Sequence, residues 1–202
     1  LKERVRACAT FRQGSKKKAT VLGAQTAHLF QENHQPSEQY VAIPRVVSET
    51  RPFYTAAHLS EDVIAGDQLY TALDPDGFLF GIISSSMFIT WQRTVGGRMK
   101  SDLRFSNKIV WNTLPLPEVS DKHRAAIISA GQGVLAARAE QPGASLAAMY
   151  NPLAMAPSLL KAHRTLDRAV DRAFGARKAL ETNEERLAIL FKRYQEMTAT
   201  ES

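Results

Sequence analysis

Between Arg93 and Pro117, five cations (Arg93, Arg98, Lys100, Arg104 and Lys108) stand against a single acid, Asp102, with Gly96, Gly97 and several short polar side chains among them. A flexible backbone carrying forked and pointed donors can approach a polyanion and reach past its phosphates to the edges of bases. By composition alone, a solvated basic loop reads the same way. Other chemistry is scarce. His28, His34, His58, His123, His163 and Cys8 fall at no zinc-binding spacing. There is no Gly-x-Gly-x-x-Gly turn and no phosphate loop. Ser84-Ser85-Ser86 lies in an apolar stretch without a nucleophile elbow. Asp167 and Asp171 alternate with Arg168 and Arg172, the pattern of an exposed, salt-bridged helix face. No catalytic group can be nominated, so the chain is expected to bind rather than to catalyse.

The elements that must hold the basic segment can be read from periodicity. Residues 2–13 have helical spacing and are followed by Lys16, Lys17 and Lys18; over residues 1–18, seven cations oppose Glu3. They face solvent or a phosphate. Residues 25–36 read as a connecting loop. Strand formers cluster at 39–47, 53–59, 63–64 and 68–73, with Pro44 pointing to an edge or a bulge. A small mixed sheet accounts for them. Asp74-Pro75-Asp76-Gly77 opens a helix over 78–94 whose apolar face is broad enough to be buried, and Gly96-Gly97 ends it. The basic segment therefore starts where a buried helix stops. Ile109, Val110 and Trp111 have strand character before Leu114-Pro115-Leu116-Pro117 breaks it.

That proline pair marks a border, beyond which helices are expected over 121–140, 146–150, 157–174 and 183–198. His163 falls at the edge of the apolar stripe of the third. The fold class is α+β: a helical segment over 1–23, a small mixed-sheet domain with a buried helix over 24–117, and an all-helical domain over 118–202. With 44% hydrophobic and 23% charged residues, the 202-residue chain suits a water-soluble globular protein. Its formal charge of +6 favours an acidic partner. A lone cysteine suits a reducing compartment such as the cytoplasm, and no apolar run is long enough for a membrane span. Starting on Leu1 and running straight into helical sequence, the chain reads as a piece of a longer protein.

Four stretches carry a more specific likeness. They are Tyr40-Val-Ala-Ile-Pro-Arg-Val-Val-Ser-Glu-Thr-Arg-Pro-Phe-Tyr54; Gly97-Arg-Met-Lys-Ser-Asp-Leu-Arg-Phe-Ser106 running into Trp111-Asn-Thr-Leu-Pro-Leu-Pro117; Asn151-Pro-Leu-Ala-Met-Ala-Pro157; and Leu160-Lys-Ala-His-Arg-Thr-Leu-Asp-Arg-Ala-Val-Asp-Arg-Ala-Phe-Gly175. In this order they resemble the C-terminal part of the MmeI-like family of DNA methyltransferases and restriction-modification enzymes. The resemblance implies a target recognition domain followed by a helical C-terminal domain. In the family, these follow a methyltransferase core that uses S-adenosylmethionine to methylate adenine N6. Double-stranded DNA and that core are the implied partners, and the cofactor belongs to the core.

Carried over by position, Lys100 and Asp102 are expected to choose one base pair, lysine donating to guanine O6 and N7 and aspartate accepting from cytosine N4. Arg104 is expected to read another guanine. Arg98, Ser101 and Lys108 are expected to support DNA binding, and Arg45 and Arg51 to meet phosphates or bases. An ion pair involving Glu49 is the internal alternative. The segment around Asp67 and Gln68 would add a partner side chain. Where the family's methyltransferases carry Asn-Pro-Pro-aromatic, this chain offers only Asn151-Pro152-Leu153. The rival reading is a protein-interaction module whose basic loop is merely solvated.

Overall fold

The computed structural model describes residues 1–31 and 35–199, which divide into two units, Leu1–Gln35 and Pro36–Ser202. In the first, α1 (Lys2–Gln13) and α2 (Lys18–Leu22) lead into a 3-10 turn, Gly23–Thr26, which overlaps the start of the loop expected over 25–36. Arg12 ties them together, donating to the carbonyls of Gly23 (2.8 Å), Thr26 (3.3 Å) and Leu29 (2.9 Å). It is thus one cation of the N-terminal cluster that serves its own backbone. His34 lies outside the described residues.

The second unit begins with strands β1 (Tyr40–Pro44), β2 (Val46–Val47), β3 (Ala57–Leu59) and β4 (Leu69–Leu73). Later come β5 (Gly97–Met99) and β6 (Asp102–Arg104). They make two three-stranded sheets, β3-β1-β4 and β2-β6-β5, with every pairing antiparallel. No helix lies between β1 and β4, and parallel pairing needs a long, usually helical, crossover. Arg45 is the corner between the sheets. Its N–H donates to Gln68 (2.9 Å), extending the first ladder, and its carbonyl accepts from Phe105 (2.9 Å), extending the second. The expected strand at 63–64 is instead a turn, in which Val63 N–H meets the Ser60 carbonyl.

The buried helix is present but divided, into α3 (Phe78–Ile83) and α4 (Ser86–Val95). Asp74 starts α3, its carboxylate accepting from Leu79 (2.9 Å) and Phe80 (2.8 Å). The break falls at Ser84-Ser85, where Ser85 Oγ donates back to Ile82 and accepts from Phe88, capping α4. A similar local diversion replaces the strand expected at 109–111. Ser106 Oγ accepts from Ile109 and Asn107 Oδ1 from Lys108, and residues Asn107–Trp111 wind into a π-helical turn.

The remaining helices are α5 (Asp121–Ala139), α6 (Leu146–Met149), α7 (Pro157–Ala173) and α8 (Asn183–Ala199). Gly175, at φ +99°, lets the chain turn off α7. One continuous core joins the sheets to these helices, from Val41 through Trp91 to Leu190. The salt-bridged face expected at Asp167 and Asp171 is corrected: both carboxylates are buried. Asp167 accepts from the N–H and hydroxyl of Ser86, each at 2.7 Å, and Asp171 takes a two-pronged bond from Arg186 (3.0 and 2.8 Å). His163, expected at the core edge, is fully enclosed. No helix of the described residues is long and apolar enough to cross a membrane.

Candidate functional site

Because α4 ends at Val95, the chain emerges at the rim of the second sheet. Gly96 is required there, since a Cβ would collide with the backbone carbonyl of Gln92. β5 and β6 then form a hairpin turning on Lys100 and Ser101, with Met99 opposite Asp102 and Gly97 opposite Arg104. Strand alternation sends Leu103 into the core, where it is wholly buried, and puts Asp102 and Arg104 together on the outer face. Gly97 leaves the surface beside Arg104 bare.

Lys100 has φ +56°, the only positive φ of a non-glycine residue among those described. That conformation is costly for an L-residue with a long side chain. The exposed lysine at the apex, and the exposed Arg104, make no side-chain hydrogen bond or ion pair among the described residues.

Asp102 is held from outside the hairpin: the Glu49 N–H donates to its Oδ1 at 3.3 Å. Glu49 also faces Arg98 at 4.0 Å, the internal ion pair that was the alternative for this segment. Arg98 further donates to the Ser101 carbonyl (3.0 Å), bracing the turn from within. Register places Arg98 opposite Leu103, on the face away from Asp102 and Arg104.

The other expected contact residues diverge. Arg45 is exposed and lies over the Tyr70 ring, 5.0 Å from its centroid. Lys108 is exposed on the π-helical turn. Asp67 and Gln68 are exposed and bonded to each other at 3.1 Å, one strand away from Arg45. Arg51 turns inward, its guanidinium donating to the carbonyls of Leu146 (3.4 Å) and Ala147 (2.7 Å). Thus Lys100, Ser101, Asp102 and Arg104 share one hairpin, Arg45 flanks its sheet, and Arg51 fastens the neighbouring loop to α6.

By sequence, Arg93 belongs with the polyanion-facing cations. Its guanidinium instead donates to the carbonyls of Arg51 (2.6 Å) and Glu49 (3.3 Å). Burial, with the charge of Arg98 nearby, lowers its pKa from the ordinary arginine value. Sequence reasoning passed over Gln92, which is fully buried and donates to the Arg104 carbonyl at 3.0 Å. A lone amide in an otherwise apolar buried helix was the available signal. The Glu49 N–H left no signal at all. No group of three or more His, Cys, Asp or Glu side chains among the described residues could hold a metal ion.

Residues 1–118 match the family model described as the target recognition domain of MmeI, and residues 119–201 the one described as its C-terminal domain. The two matches meet just after Leu114-Pro115-Leu116-Pro117. DNA methyltransferase A of Bacillus subtilis (strain 168) is 37% identical over 198 residues, covering 98% of this chain and 22% of that protein. A solved structure of the Type IIL restriction-modification enzyme MmeI in complex with DNA is similar at a TM-score of 0.84 and 38% identity. That likeness covers 98% of this chain and 26% of that one. The chain therefore spans about a quarter of the length of the relatives it matches.

Proposed function

We propose, from the premise that this chain belongs to the MmeI family of target recognition and C-terminal domains, that it reads the sequence of double-stranded DNA on behalf of a larger adenine-N6 methyltransferase. The observation that carries the reading is the β5–β6 hairpin. A lysine held at positive φ on an exposed apex, next to an aspartate oriented by a backbone N–H, is backbone strain kept at a point where a side chain is displayed.

Lys100 donates to guanine O6 and N7, and Asp102 accepts from N4 of the paired cytosine; Arg104, on the same face, takes a second guanine. Arg45, Ser101 and Lys108 lie around the hairpin and serve the phosphate backbone, which sets position rather than choice. Arg98, held by Glu49 and the Ser101 carbonyl on the other face, supports binding by bracing the turn. Arg51, already bonded to two carbonyls, fixes the loop that orients Asp102. The methyltransferase core of the parent chain is the second partner, and cytoplasmic DNA the target. S-adenosylmethionine belongs to that core. This chain has neither a Gly-x-Gly-x-x-Gly turn nor an Asn-Pro-Pro-aromatic motif, so no step of methyl transfer falls to its residues.

The test is methylome sequencing of cells expressing the intact parent gene. The wild type is expected to mark one asymmetric N6-methyladenine motif. Lys100→Glu with Asp102→Arg should shift that motif at one base pair. Single Lys100→Ala or Asp102→Ala changes should relax the same position by roughly 1–3 kcal/mol of discrimination. A motif unchanged by the double substitution would remove these residues from base reading, and the absence of any methylated motif would remove the reading itself.

A further inference from the structure

Three consecutive side chains at the end of α4 each donate to the main chain of a different segment. Trp91 Nε1 meets the Val110 carbonyl at 3.1 Å, in the π-helical turn. Gln92 Nε2 meets the Arg104 carbonyl at 3.0 Å, on the central strand of the hairpin sheet. Arg93 Nη2 meets Arg51 (2.6 Å) and Glu49 (3.3 Å), in the loop whose N–H holds Asp102. Successive helix side chains point about 100° apart, so one helix end can grip segments lying on three sides of it.

One end of the Gln92 amide works against stability. Its Oε1 is buried without a partner among the described residues, and an unsatisfied buried acceptor is destabilising. A methionine of similar size would remove that unpaired acceptor, at the loss of the donor to the Arg104 carbonyl. What the glutamine supplies is a fixed donor to β6 at the residue whose side chain faces outward. Arg93 likewise spends its charge on two carbonyls of its own chain, at the loop that orients Asp102.

We propose that Gln92 and Arg93 are positioning residues for base choice. From behind, they set the height and register at which Asp102 and Arg104 meet the base edges. Hydrogen-bonded readout tolerates displacements of only about half an ångström. Loosening either tie should therefore blur recognition at the base pairs these two side chains read and leave the remaining positions alone. This inference rests on the base-reading role of Asp102 and Arg104.

The experiment uses the intact parent protein and duplexes carrying its methylated motif or one of the single base-pair substitutions of that motif. Methylation rates are compared for the wild type, Gln92→Met, Arg93→Lys and Asp102→Ala, with thermal midpoints recorded to confirm folding. Gln92→Met and Arg93→Lys are expected to lower discrimination at least fivefold at the pairs read by Asp102 and Arg104, with other ratios unchanged. If rates fall on all duplexes together and every ratio is preserved, the two residues are only structural and the proposal is overturned. If Asp102→Ala relaxes one pair while Gln92→Met and Arg93→Lys relax none, positioning fails and base reading stands. If Asp102→Ala relaxes no pair, base reading fails and this inference with it. Should Gln92→Met not fold, Arg93→Lys, at a half-buried site, decides the question.

Discussion

At the scale of single residues, His163 makes the most direct prediction. Its ring stacks on Phe53 with centroids 3.8 Å apart, and its Nε2 lies 2.7 Å from the Tyr150 hydroxyl. Arg138 donates to that hydroxyl at 2.8 Å and to the Ala56 carbonyl at 2.7 Å. Burial first, then the Arg138 charge, push the imidazole down to about 3 from its ordinary 6.5. Between those values the unfolded chain takes up a proton that the folded one refuses. The contribution of His163 is therefore whole above pH 6.5 and is lost as pH falls towards 3, at up to about 1.4 kcal/mol per pH unit. Thermal midpoints measured across that range should drop steeply for the wild type and less so for His163→Gln; equal slopes would assign the acid sensitivity to other groups. Helical spacing put His163 near the core, but its partners come from residues 53, 138 and 150, which no local pattern links. Lys100 makes the opposite case. Its place in a basic hairpin was legible, whereas its positive φ was not. Lys100→Gly should raise stability by up to about 1 kcal/mol, by relieving the left-handed conformation, while lessening base choice. A fall in the thermal midpoint would show that the lysine side chain, rather than the backbone, governs the turn.

At the scale of elements, the division of α3 from α4 shows where a correct pattern stops short. The apolar stripe over 78–94 identified a buried helix, and both pieces are buried. Ser85 caps α4 from within the stretch, but the N–H and hydroxyl of Ser86 need an acceptor that the stretch does not contain. Asp167 supplies it from α7, 81 residues further along the chain. The same remoteness hid the burial of Asp167 and Asp171, whose spacing alone imitates an exposed charged face. Asp167→Ala strips Ser86 of the acceptor for both its N–H and its hydroxyl, and should cost about 2–3 kcal/mol. The measurement is the denaturant midpoint, with an unchanged m value to show that the unfolded state is not what moved. α3 also lies close to α5: a Cβ on Gly81 would sit 2.6 Å from Ile127 Cγ2 and 3.2 Å from the Ile127 carbonyl. Gly81→Ala should destabilise by about 1–3 kcal/mol through overpacking, despite the higher helix propensity of alanine. A neutral or stabilising result would mean that α5 can shift, and that the contact between these two helices is softer than its geometry implies.

For the whole molecule, the excess of positive charge was legible from composition, and the α+β order from periodicity. What composition could not show is how the cations divide. Arg12, Arg51 and Arg93 are spent on carbonyls of their own chain, while Lys100, Arg104 and Lys108 project outward. This division predicts different behaviour from residues that look alike in sequence. For a DNA reader, the logarithm of affinity falls with the logarithm of salt concentration by about 0.9 for each phosphate neutralised. In the intact parent protein, Lys108→Ala should flatten that dependence by about one unit and weaken every duplex alike. Arg51→Ala should leave the salt dependence unchanged and lower the thermal midpoint, because it removes two bonds to α6 rather than a phosphate contact. Titrations of cognate and non-cognate duplexes over a range of salt separate the two. If Arg51→Ala flattens the slope as much as Lys108→Ala does, Arg51 leaves its carbonyls for a phosphate when DNA arrives. The loop that orients Asp102 would then be set by the DNA itself rather than beforehand by the fold.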